Sequence, residues 1–304
     1  MILIILSILW SWQITNNGQA IQIGEILTNN QNIKIMKMNF NNPALLQSAG
    51  AKPSIVDWGS VFNVTAIEDV TLNFTSQTKY GVYREQIEYS TNGVDYIPLP
   101  ESISIKSGKS VGFKVLQSRL NEALPIFEST GKINVAGRLL NAISHDGLHS
   151  GEEGLFKQLF KGIPVVDASR LTLENPFYGS SGWYSELFMN CTDLKYAPNE
   201  ILVAGLGGSP KSNLLERTFY GCSSLLKSPI INASTLTSTG GAFNELFFGC
   251  SSLSEITISL GFTPSSIGTD WVSGVAPTGV FISNVQGIES GSNGIPEGWT
   301  VIEQ

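Results

Sequence analysis

The sequence predicts a chain of α+β, mainly β class: a small N-terminal β-sandwich, then a short solenoid with a parallel sheet and short helices. Three observations predict it. Apolar residues alternate with polar ones in several short runs within residues 56–135. A motif built on Phe, Gly and Cys recurs after residue 156 with spacings of 28, 31 and 28 residues. Of the 304 residues, 42% are hydrophobic, 14% are charged and 31 are glycines, which suits a folded, turn-rich chain and not a disordered one. The net charge is −7 and no run of Lys or Arg stands out, so no nucleic-acid partner is expected.

Residues 1–55 read as an N-terminal segment for attachment, signalling or tethering. Residues 2–10 are apolar apart from Ser7, too few to span a bilayer. They resemble a signal-peptide core, yet the first cation is Lys34, and a natural start at Met36 or Met38 is the alternative. The stretch NNGQAIQIGEILTNNQNIKI reads as a polar tether or a short strand or two.

Residues 56–137 read as the β-sandwich. In VTLNFTS, Val70, Leu72 and Phe74 share one face. IEYSTNGVDYIPL carries a hairpin signal at Asn92-Gly93. SISIKSGKSVGFKV reads as a second hairpin turning at Ser107-Gly108, and a last strand is expected near residues 132–136. Residues 138–155 read as a connector, more helical at RLLNAIS and then polar and Gly-rich.

Residues 156–270 are the repeat array. With Ile163, Cys191, Cys222 and Cys250 at position zero, Phe156, Tyr184, Leu215 and Phe243 stand seven before, and Phe160, Phe188, Phe219 and Phe247 three before. Gly162, Asn190, Gly221 and Gly249 precede position zero, and Val166, Leu194, Leu225 and Leu253 follow it by three. Aromatics four apart predict one face of a short helix, and the Gly or Asn a left-handed stop. An extended segment with Leu253, Ile256, Ile258 and Leu260 inward then follows, and stacked copies bury what one cannot. Trp271, Gly274 and Val275 open a shortened fifth copy, and residues 271–304, ending in GIPEGWTVIEQ, read as the C-terminal cap.

The strings LFMNCTDLKYAP, TFYGCSSLLKSP and LFFGCSSLSEI resemble BspA-type leucine-rich repeats, found in surface proteins of gut bacteroidetes and in proteins of their phages. IEYSTNGVDYIPL with SIKSGKSVGFKV looks like the β-sandwich module that often precedes such repeats. FESTGKINVAGRLLNAI resembles the junction, and WVSGVAPTGVF with GIPEGWTVIEQ the cap. The resemblance covers residues 56–304 and implies a curved parallel array with an adhesive or binding role and no catalytic residues. Ile163 in the cysteine position and the insertion GLGGSPKSN depart from the pattern.

Other chemistry is weakly signalled. His145 and His149 stand four apart beside Asp146, Glu152 and Glu153, but Gly147 and Gly151 disfavour the helix that a zinc pair needs. Gly108-Lys109-Ser110 lacks the first glycine of a phosphate loop, and GLGGS at residues 205–209 lacks the third glycine of a dinucleotide site. The three cysteines have no CxxC pair and no histidine in the repeats, and they read as small packing residues. Glu186 and Glu245 share a repeat register and do not form the facing pair of a glycosidase. The N-x-S/T sequons at Asn63, Asn73, Asn190 and Asn232 are what chance gives an Asn-rich chain.

A non-enzymatic binding protein is therefore expected, without cofactor or metal: a phage virion component such as a fibre or decoration protein, or else a secreted or cell-surface bacterial adhesin. A glycan-acting enzyme is the remote alternative. Expected partners are a host or cell-surface protein or glycan, met by Lys195, Tyr196, Lys227 and Glu255, and other virion proteins or further copies of the chain, met by residues 1–55.

Overall fold

A computed structural model describes residues 8–14, 20–26, 36–38, 56–75, 87–115, 126–139, 156–173, 182–203 and 213–304. The chain divides into two compact units, Met1–Ile55 and Val56–Gln304. In the first, β1 (Ile8–Ile14), β2 (Ala20–Ile26) and β3 (Met36–Met38) form an antiparallel sheet in that order, with Ile8 opposite Ile26 and Gln22 opposite Met38. The start of the apolar run at residues 1–7 lies outside the described residues.

The second unit is mainly β and opens with two sheets. β4 (Asn63–Ala66), β5 (Val70–Thr75), β6 (Ile87–Ser90), β7 (Ile97–Pro98), β8 (Ser102–Ile105), β9 (Ser110–Val115), β10 (Ile126–Ser129) and β11 (Ile133–Arg138) supply their strands. One sheet has the order β10-β5-β8; the other contains β11-β4-β9-β6-β7. The alternation in VTLNFTS holds, because Val70, Leu72 and Phe74 are all buried. The Phe74 ring meets Phe113 of the other sheet at 5.9 Å, so the inward faces share one core. At the Asn92-Gly93 turn, Gly93 takes φ 78°. Asn92 Oδ1 accepts the N–H groups of Val94 and Asp95 at 2.9 Å, a local substitute for backbone pairing.

The second expected hairpin does not form. β8 pairs with β5, whereas β9 pairs with β4 and β6. Ser107-Gly108 instead carries the chain from one sheet to the other, with Gly108 at φ 72°. The physical reason is burial: Ile103 and Ile105 face Val111 and Phe113 across the core, which two strands paired in one sheet cannot do.

β12 (Val165–Thr172) adds to this sheet in parallel beside β11, with Ile133 opposite Val165. A parallel sheet follows in the order β13 (Glu200–Leu202), β14 (Lys227–Ala233), β15 (Glu255–Leu260), β16 (Val280–Ser283) and β17 (Thr300–Glu303). Single bridges from Asp167 to Tyr196 and from Tyr196 to Lys227 link it to β12. Leu253, Ile256, Ile258 and Leu260 are buried, as the strand pattern requires. Of the connector expected at 138–155, Arg138 instead ends β11, and residues 140–155, like the insertion at 204–212, lie outside the described residues.

Among the described residues no short helix precedes any position zero. The segment before each position zero is a ribbon of successive turns with a left-handed residue every fourth position. One before zero stand Gly162, Asn190, Gly221, Gly249 and Gly274, with φ between 61° and 76°; five before stand Gln158, Glu186, Arg217, Glu245 and Asp270, with φ between 48° and 64°. Positive φ at the third residue is what such a turn requires, as in Tyr184–Leu187, where Leu187 N–H donates to Tyr184 O at 3.1 Å. The N–H groups at odd offsets go instead to the next copy: Glu186 to Glu216 O, Phe188 to Thr218 O and Asn190 to Tyr220 O. An α-helix would turn all these donors inward and forfeit that ladder. The aromatic spacing of four survives, because the turn ribbon repeats every four residues and both aromatics face the core.

Candidate functional site

Two sites are built by the array: a buried column of cysteines and an exposed face of strands. Each cysteine seats where one coil rests on another. Cys191 Sγ donates to Phe160 O at 2.8 Å, Cys222 to Phe188 O at 3.0 Å and Cys250 to Phe219 O at 3.0 Å. The accepting phenylalanines stack at 5.1 to 5.6 Å with Phe247 continuing the column, and Phe62 meets its other end, against Phe160 at 6.1 Å. Burial pushes all three thiols well above the ordinary thiol range, so they stay protonated at neutral pH. Among the described residues no three His, Cys, Asp or Glu side chains converge on a metal position. His145 and His149, with Glu152 and Glu153, lie outside them.

Glu186 and Glu245 stand on the turn side, each held by cations. Glu186 binds Lys161 at 2.7 Å and accepts from Gln158 at 2.8 Å; burial alone would raise its pKa, but these bonds hold it below the usual carboxylate value. Glu245 takes a two-point bond from Arg217, at 2.8 and 3.0 Å.

The strand face is different. Along β14 and β15 alternate residues point away from the core, so one row crosses successive strands: Asp167, Tyr196, Lys227, Glu255, Val280 and Thr300. Tyr196 is 51% exposed, and Lys227 and Glu255 form an ion pair at 2.8 Å. Lys195 is exposed one position earlier, at the strand entry, where its N–H donates to Val166 O. Three of the four expected ligand-facing residues thus share one row and the fourth borders it.

A second row, beside the first, was missed by sequence reasoning: Glu200, Ile230, Thr257, Ile282 and Ile302. Ile230 is 50% and Ile302 47% exposed. The available signal was strand register, because Ile230 precedes the buried Ile231 by one residue and so faces outward. A cleft of about 390 Å³ near Gly274, Ser292 and Glu297 is lined mostly by small residues, with Glu297 its one charged side chain among the described residues.

The chain matches no known protein family, no curated protein and no solved structure. Among the described residues no helix is long and apolar enough to cross a membrane.

Proposed function

We propose that this chain is a non-enzymatic binding protein, a phage virion component of fibre or decoration type that presents its repeat array to the host surface. The two-sheet region is then a β-sandwich spacer, and residues 156–270 are a leucine-rich repeat solenoid of BspA type whose outer arc is made of turns. The observation that carries the proposal is the outward row of Tyr196, Lys227 and Glu255 with its apolar neighbour row. A parallel sheet is ordinarily covered on both faces, and here one face holds Tyr196, Ile230 and Ile302 half in solvent. Non-enzymatic action is supported by the pairing of Glu186 and Glu245 with cations and by the burial of every cysteine. Residues 1–55 are assigned the attachment role, toward other virion proteins or further copies of the chain.

The test is binding of the labelled full chain to cells of gut bacteroidetes. The fourfold variant Lys195→Ala, Tyr196→Ala, Lys227→Ala, Glu255→Ala is expected to lose binding while keeping the parent's melting temperature within a few degrees. Unchanged binding by the variant overturns the assignment of this face.

A further inference from the structure

The polar row does not stop at the array. It continues across β12 into the two-sheet region, because Asp167 pairs with Asn134, Asn134 with Thr65, and Thr65 with Ser110. Asn134 and Thr65 alternate with buried Ile133, Val135 and Val64, so they point to the same outer side as Tyr196. Thr65 and Ser110 join hydroxyls at 2.7 Å. Two residues along β9 from Ser110, Gly112 leaves no room for a Cβ because the Trp58 ring lies on it.

Two polar atoms are buried without a hydrogen-bond partner among the described residues, and both belong to this face: Trp58 Nε1, a donor, and Asn134 Oδ1, an acceptor. Native structures leave few such groups unpaired, and those that remain call for a bound water or ligand. A donor and an acceptor orphaned on one face, with the hydroxyls of Thr65 on β4 and Ser110 on β9 paired beside them, suit a ligand whose groups both give and accept hydrogen bonds. Charge narrows the class. Lys227 and Glu255 neutralise each other, and Asp167 in the row is matched in charge by exposed Lys195 at its border. A polyanion gains nothing there. Strands follow one another at about 4.8 Å, so the row offers a polar group at nearly constant intervals. A chain of sugar rings advances by a similar step, and its C–H faces pack on exposed rings such as Tyr196.

We propose that the row from Trp58 and Ser110 through Thr65, Asn134 and Asp167 to Tyr196 binds an extended neutral glycan laid across the strands. This rests on the surface-binding role proposed above and gives it a ligand class.

The test uses the full chain, a printed array of neutral bacterial surface glycans, and intact bacteroidete cells treated either with periodate, which cleaves sugar diols, or with protease. Capture by printed neutral glycans is expected, with cell binding lost after periodate and kept after protease. Tyr196→Ala and Asp167→Asn, both outside the core, are expected to weaken binding about tenfold each, whereas Val94→Ser, on the exposed turn after Asn92-Gly93, leaves it intact. Cell binding that survives periodate but not protease, or that depends on Ile230 and Ile302 and not on Tyr196, overturns the glycan assignment in favour of a protein partner and leaves the surface role standing. Absence of any cell binding removes both.

Discussion

At position zero a cysteine is small enough to sit between coils and can still donate to a carbonyl above the neighbouring Phe ring. Cys250→Val keeps the volume and loses that weak bond; since Phe219 O also accepts Cys222 N–H, the expected cost is about 1 kcal/mol or less, read from urea unfolding. Thiol reagents should label none of the three cysteines until the chain unfolds. Burial also sets a pH dependence. Each thiol titrates higher in the folded chain than its ordinary 9.0, so the unfolded chain loses these protons first. Stability is therefore fully present below pH 9 and falls as pH rises beyond it, less steeply in Cys222→Val, as urea midpoints across alkaline pH will show. Ile163 fills the cysteine place without a donor in the first described coil, where Phe62 meets the Phe160 ring. Gly221 is the stricter position: φ is 70°, and a Cβ built there lies 2.5 Å from Asn190 Oδ1. Gly221→Ala should cost about 2 kcal/mol and Gly249→Val a similar amount, measured by the same unfolding experiment.

Two kinds of element define the array, and they close differently at its C-terminal end. In the turn ladder every inter-coil N–H points to the following coil, so the last coil is left with free donors. Asn293 Oδ1 takes Asp270 N–H at 2.7 Å, and Ser292 O takes Val272 N–H at 3.3 Å. In the sheet, one register column reads Ile201, Ile231, Ile258, Ser283 and Glu303 across β13 to β17, buried as far as Ser283 and exposed at Glu303. Glu303, held by Gln286 Nε2 at 2.7 Å, puts a charge where another coil would need an apolar side chain. Charged side chains on an edge strand are one way that sheet edges avoid growing. Glu303→Ile should therefore add a concentration-dependent associated species in analytical ultracentrifugation, and a variant that sediments like the parent contradicts this role. The ion pairs on the turn side matter less: Arg217→Ala should cost about 1 kcal/mol or less, since both partners are partly solvated.

Among the described residues from 56 to 304 the two-sheet region is joined to the array, because β11 pairs with β12 in parallel and single bridges through Tyr196 carry on to Lys227. The outward row crosses the junction and gathers residues far apart in sequence, Ser110 and Glu255 among them. A ligand laid along it should protect both halves at once. Hydrogen exchange in the presence of a bound glycan is expected to slow in β4, β11 and β14 together, and protection confined to β14 and β15 would place the ligand on the array alone.

The sequence by itself determined the repeat period, the inward residues of the strands, the left-handed Gly and Asn positions and the parallel stacking. All follow from local pattern: alternation decides which side of a strand is apolar, and only Gly or Asn readily takes positive φ before each position zero. Three members of the outward row were legible for the same reason. Tertiary structure alone decided the rest. Aromatics four apart suit a helix and a turn ribbon equally, and the inter-coil bonds that favour the ribbon exist only once a second coil is present. The partners of β8 and β9 depended on which core face each strand needed, not on the turn between them. The orphaned Trp58 and Asn134 could not be read from sequence, because whether a polar atom finds a partner depends on which strands lie beside it.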